Sequence, residues 1–520
     1  MRPPSKDSAV PAAPPAGRPA SAAGPSPSGS RARHALHGLL WNYAGSAATI
    51  VLQLGYTACT SRMVPPAAFG AFATAAAVAG VLGYFSNSGV ATCLLTAERL
   101  TAPLTSTALR IGAVSGALCF LAAQAVAFAV TALWDMPEAG PMLRLVSFQF
   151  LTLPAALAAV AALRRCGRTP QVVRLELVGH TTGAAASLGL LAAGWAPMGL
   201  AVSAPTSSAV LLAGALWLLR RQDLPSGARP KVRGLVDASG FFSGYSLAQY
   251  VFNSAPLWLA GRLGAGAAGH YSRASLFTGI PLTVLSQGIS LTATPVLAAD
   301  RGRSRQAVTD VLCLASAIAF VGFGTVAGLG PAALNLLLGP GWGTAAALVP
   351  LLAVAAALSL LTSVGDSVNQ ARDDRRSLLV TQGWAAASIA VTLAAVVPRH
   401  SLTLLAAATV TGPLTGHAAQ LLRWRAHGVV ALAPLLRVHA AHVAAGAVLA
   451  LAARWGASAG DTPVHGLLLG AAATLAVLVC ALPFRARLPL YAVAERHGLL
   501  PRPSTWSLRG QSAPRPARQQ

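Results

Sequence analysis

Three arginines, Arg62, Arg262 and Arg273, stand out in a chain with little charge to spare. A guanidinium is planar, stays protonated and meets phosphate oxygens two at a time. Each is therefore a candidate for holding an anionic group. Asn87, Gln249 and Asn253 add amide donors and acceptors suited to a hydroxyl-rich ligand. The titratable candidates are Glu176, His180 and Asp366. Glu176 and His180 are one helical turn apart on one face, and within a membrane such a pair can relay a proton. Each has a plainer reading beside it. Arg62 and Arg262 lie just past span ends, where arginines snorkel to headgroups. Asp366 and Glu176 can serve as structural ion-pair partners, and His180 as a packing residue. Arg174 is two residues from Glu176, which is not same-face spacing, so that pair is not expected. No catalytic residue is assigned. The six cysteines form no CxxC pair, and neither a metal site nor a cofactor is expected.

The elements that must position these residues are membrane helices. Only 10% of the 520 residues are charged, 54% are hydrophobic, and mean hydropathy is +0.60. A soluble chain carries about a quarter charged residues, whereas about 20 apolar residues in a row cross a bilayer as a helix. The apolar runs predict fourteen spans, at 36–61, 67–95, 104–134, 141–163, 172–194, 198–219, 235–261, 266–298, 306–330, 343–369, 377–397, 401–422, 434–453 and 463–484. Pro, Gly and charge mark the breaks, as at Pro65-Pro66, Arg164-Arg165, Arg220-Arg221 and Gly339-Pro340-Gly341. Pro154, Pro205, Pro256, Pro281, Pro295, Pro350 and Pro413 fall inside spans, where they interrupt or kink helices. The gaps are too short for a soluble catalytic domain.

The net charge of +24 is a topology signal rather than a nucleic-acid one, since no basic stripe interleaved with aromatics lies on a soluble segment. Arginines cluster in every second gap, as in Arg164, Arg165 and Arg168, in Arg372, Arg375 and Arg376, and in Arg423 and Arg425. The other gaps hold isolated ones such as Arg62, Arg262 and Arg399. The positive-inside bias makes the even-numbered gaps and both termini cytoplasmic, with anionic lipids as neighbours. The predicted location is the cell membrane. Residues 1–34 and 487–520 read as basic tails, the first disordered by its Pro, Ala, Ser and Gly composition.

An internal repeat organises the spans. Arg62-Met-Val-Pro-Pro-Ala-Ala-Phe-Gly70-Ala-Phe72 aligns, with one residue of slack, on Arg262-Leu-Gly-Ala-Gly-Ala-Ala-Gly269-His-Tyr271. Tyr43 and Tyr245 sit at similar places upstream. The offset spans six helices, an even number, so the two halves share an orientation. This predicts an all-α membrane protein of two pseudo-symmetric six-helix lobes, 35–221 and 222–433, around a central cavity. Two extra helices follow in 434–486. Parallel repeats of this kind operate by alternating access.

The same residues carry a family resemblance. Arg62-Met-Val-Pro-Pro-Ala-Ala-Phe-Gly70, then Leu263-Gly-x(4)-Gly-His-Tyr-Ser-Arg273-Ala, then Leu338-Gly339-Pro340-Gly341-Trp342-Gly-Thr-Ala345 follow in order and spacing. In this the chain resembles the Wzx-like polysaccharide flippases of the MOP (MATE-like) exporter superfamily over roughly residues 36–425. Members often carry an Asp in the seventh helix, where this chain has Asn253-Ser-Ala-Pro256. The resemblance implies a non-enzymatic exporter that flips a lipid-linked oligosaccharide of the undecaprenyl-pyrophosphate type. Its expected partners are that substrate, membrane lipids, and polymerase or other assembly proteins, with no nucleic acid. Two alternatives stand beside it: a cation-coupled multidrug exporter of the same superfamily, and a membrane-embedded glycan polymerase or glycosyltransferase. Scarce carboxylates weigh against both.

Overall fold

The computed structural model describes residues 27–86, 94, 100–227, 240–299 and 304–483. Among these, 14 helices form and no strand does. They are α1 (Pro27–Met63), α2 (Pro66–Ser86), α3 (Ala102–Trp134), α4 (Ala139–Arg165), α5 (Thr169–Ala192), α6 (Met198–Leu219) and α7 (Gly240–Arg262). Then come α8 (Ala265–Ala299), α9 (Arg305–Leu338), α10 (Gly343–Ala371), α11 (Arg375–Arg399), α12 (Leu402–Ala408 and Thr411–Ala426), α13 (Leu432–Ser458) and α14 (Pro463–Ala481). Nine of them are long and apolar enough to cross a membrane. α7 and α8 are long too, at 23 and 35 residues, but they carry the polar side chains that line the interior. The protein is a multi-pass membrane protein. α1 begins ahead of the expected residue 36, and residues 1–26 and 484–520 lie outside the described set.

Small residues set how closely the helices pack. Along α3, Ala108, Gly112, Gly116, Cys119, Ala123 and Ala127 recur every three or four positions and are buried. The opposite face shows Leu118, Leu121 and Phe128 outward. Lipid is as apolar as any helix face, so close van der Waals approach along small-residue stripes drives association. α2 does the same with Ala68, Ala71, Ala75 and Ala79.

Two six-helix sets follow. In the first, α2, α3 and α4 pack together and α5 pairs with α1 and α6. In the second, α8 and α9 flank α10, and α11 pairs with α12. The sets meet chiefly where α2 crosses α8. α13 lies on α9, and α14 on α13.

Several of the prolines fall where helices restart. α4 breaks into a 3₁₀ turn at Phe148–Leu151 and resumes with Pro154 in its first turn. α6 opens as 3₁₀ at Met198–Val202 before Pro205, and α12 resumes at Thr411 just before Pro413. A first-turn proline costs nothing, because its missing N–H would have had no partner. Pro256 and Pro350 instead stay inside helices.

Candidate functional site

Between the two six-helix sets lies a cavity of ≈ 1470 Å³. α1, α2, α7, α8, α10, α11 and α12 form its wall. The wall is polar in patches: Gln53 and Tyr56 from α1, Gln249 and Asn253 from α7, Ser275 and Gln287 from α8, Ser359 from α10, and Gln382 from α11. Among the described lining residues one is charged, Arg273.

Arg273 is 8% exposed, about two turns into α8. Its guanidinium carbon stands 4.0 Å from the centroid of the Phe69 ring, across the interface with α2. Tyr56 is within its electrostatic reach, and that hydroxyl shares a 2.7 Å hydrogen bond with Ser187 Oγ. Arg273 Nε is buried without a hydrogen-bond partner. A guanidinium placed among acyl chains would cost about 2.5–3.5 kcal/mol or more. Here the ring face and the cavity take that role, and a donor is left over for something the protein does not supply.

The other sequence candidates separate. Gln249 and Asn253 line the cavity, as Arg273 does. Asn87 lies outside the described residues. Arg62 and Arg262 do not line the cavity. Each lies exposed at a helix end and donates to a main-chain carbonyl of the other lobe. Arg62 Nη2 reaches Leu336 O at 3.0 Å, and Arg262 Nη1 reaches Leu133 O.

The coupling candidates also part company. Glu176 pairs with Arg164 at 2.9 Å, linking α5 to the end of α4. His180 is exposed, with only a 3.5 Å approach to Ser207 Oγ. Of the two readings open for Glu176, the structure shows the ion-pair one, with the carboxylate turned to the basic end of α4. Asp366 is buried. Its Oδ1 accepts from Gln420 Nε2 at 2.9 Å and its Oδ2 from Gln382 Nε2 at 3.1 Å. Gln382 thus separates this carboxylate from the cavity. Asp310, in α9, accepts from Gln306 Nε2 at 2.9 Å.

Several residues escaped the sequence reading. His417, His439, His442, Ser316 and Gln420 form a buried hydrogen-bonded chain through α12, α13 and α9. His439 Nδ1 and His442 Nδ1 both meet Ser316 Oγ, at 2.8 and 3.1 Å. His439 and His442 share a helical face, which was the available signal; their partners are too far away in sequence to be inferred. Phe69 and Trp342 belong to two separate motifs, and nothing in their spacing signals that they touch. Their rings meet edge to face at 5.6 Å.

Residues 60–347 match the family described as "Polysaccharide biosynthesis protein". The chain belongs to this family. Solved structures share its fold. "Lipid II flippase MurJ, inward closed conformation" superposes with a TM-score of 0.69 at 9% identity, over 87% of this chain and 99% of that one. An inward-facing multidrug resistance MATE family transporter of the MOP superfamily gives 0.53 at 15% identity, over 72% and 94%. A Vibrio cholerae MATE transporter gives 0.52 at 14%, over 77% and 98%. No curated protein sequence matches the chain. At these identities the structures speak for the fold, and the expected MOP-like bundle is what the family member adopts.

Proposed function

We propose that this polysaccharide-biosynthesis family member flips a lipid-linked oligosaccharide, of the undecaprenyl-pyrophosphate type, across the cell membrane by alternating access. The observation that carries the reading is the cavity: large, patched with amides and hydroxyls, and holding one buried guanidinium with an unused donor. A headgroup of this kind presents two features that must leave water, a phosphate charge and a sugar. Arg273 answers the first through charge-assisted hydrogen bonds. Gln249, Asn253, Gln53 and Ser359 answer the second, because a buried sugar hydroxyl needs a partner for each bond it gives up. The polyprenyl tail needs no cavity and remains in lipid. No chemistry on the substrate is required, so the reading is of a transporter rather than an enzyme.

A drug exporter for cations calls for a carboxylate facing the cavity. Asp366 is bonded to the cavity-lining Gln382, and both of its oxygens are engaged by glutamine amides. That arrangement suits a coupling or structural role better than cargo binding.

The test uses proteoliposomes carrying a fluorescent undecaprenyl-pyrophosphate oligosaccharide, read by a membrane-impermeant quencher. Wild-type protein accelerates flipping, and Arg273→Ala removes the acceleration while the protein still inserts and elutes as one species. An Arg273→Ala variant that flips at the wild-type rate removes Arg273 from the site.

A further inference from the structure

We propose that Arg62 and Arg262, with Trp342 and Trp134, form a reciprocal latch that holds the cavity shut on the side of the odd-numbered gaps. The arginine distribution makes that the external side. Each contact has a counterpart from the other lobe. Arg62, at the end of α1, donates to Leu336 O in the last turn of α9. Arg262, at the end of α7, donates to Leu133 O in the last turn of α3. The repeat makes α7 the counterpart of α1 and α9 that of α3. Trp342 Nε1 donates to Ser61 O at 3.1 Å, and Trp134 Nε1 to Trp258 O at 2.7 Å. Between the two latches α2 and α8 touch backbone to backbone. A methyl on Gly70 would run into the carbonyl oxygen of Ala265, and one on Gly269 into that of Pro66.

The chemistry suits a releasable contact. The last carbonyls of a helix have no partner within it and carry the negative end of its dipole. A cation from the opposite lobe satisfies both needs, yet both arginines sit at an exposed edge, where water can replace the carbonyl at small cost. The layer beneath is dry, with Val64, Phe69, Ala268, Leu338 and Trp342 each at most 3% exposed. Arg273 reaches this layer through its stack on Phe69, which packs on Trp342.

The inference rests on reading the chain as an alternating-access transporter, but its test needs no substrate. A reporter cysteine replaces Ser359 on the cavity wall, and a membrane-impermeant maleimide is added from outside to right-side-out vesicles. Labelling at that position is read by mass spectrometry. Wild-type protein labels slowly. Exchanging both arginines (R62Q with R262Q) is expected to raise the rate about tenfold, and each single exchange roughly threefold, as for two exposed charge-assisted contacts. Gly70→Ala, which wedges α2 from α8 without touching charge, is expected to raise it as well. An unchanged rate in the double arginine variant, in protein that still elutes as one folded species, overturns the latch whatever Gly70→Ala does. So does a wild-type reporter that labels as fast as the variants. Loss of flipping without altered labelling would bear on the substrate reading alone.

Discussion

At the residue scale, Arg273 is held by shape as well as by charge. Its planar face lies on Phe69, a contact worth about 2 kcal/mol or more when water is excluded. Lysine keeps the charge but neither the plane nor the fork. Arg273→Lys is therefore expected to lose most of the flipping rate in the same liposome assay, instead of behaving as a conservative exchange. Asp374 is a simpler case, at the mouth of α11 between two spans. Burial pushes its carboxyl up, but the hydroxyl and amide of Ser377, with Arg423 and His427 nearby, outweigh this and hold it below the usual range. The Ser377 hydroxyl donates to Oδ2 at 2.6 Å and its amide to Oδ1 at 2.9 Å. Asp374→Ala is expected to lower stability by about 1 kcal/mol, as other helix N-cap losses do. A depressed carboxylate stabilises the fold above its unfolded value and ceases to as pH falls through its folded one. The melting-temperature gap between wild type and variant should thus be full at pH 7 and close below about pH 4.

At the element scale, α13 docks on α9 where α9 loosens into a π turn at Ile318–Gly322. Gly446 makes that contact possible, because a methyl there would collide with the Phe320 carbonyl oxygen. Gly446→Leu is expected to destabilise the protein by about 1–3 kcal/mol, seen as a lower melting temperature with the cavity reporter unaffected. The helices themselves were legible from sequence, because an apolar run between arginines or prolines has one stable outcome in lipid. The expected limits 198–219 and the observed Met198–Leu219 coincide. Local irregularities were legible unevenly. The π turn in α9 carries no local signal of its own, whereas the 3₁₀ break in α4 falls just before Pro154, one of the prolines expected to interrupt a span. The site was legible in part. Arg273 could be placed because a charge inside an apolar run must face something other than lipid. The exposed helix-end positions of Arg62 and Arg262 were legible too, but not their acceptors, which are bare carbonyls with no side-chain signature. The buried histidine chain went unseen for a related reason: its members are unremarkable until α9, α12 and α13 converge.

At the scale of the whole molecule, we propose from the arginine-rich gaps that both ends of the bundle face the cytoplasm. Alkaline phosphatase, active only outside the cytoplasm, should be inactive when fused after residue 483 and active when inserted in the gap after α3. The reverse result would invert the topology. The repeat also has a meaning beyond ancestry. Arg62 and Arg262 occupy equivalent places, and each crosses to the other half, so on the proposed latch both fastenings would open together. The stack of Arg273 on Phe69 adds a further consequence. The cation that would greet an arriving phosphate is, while the vestibule stands empty, one leaf of the hydrophobic plug beneath the far exit. On the proposed reading an arriving anion would compete with the ring for that cation, so an unloaded protein would stay sealed, and idle cycling would be discouraged by the same side chain proposed to meet the passenger.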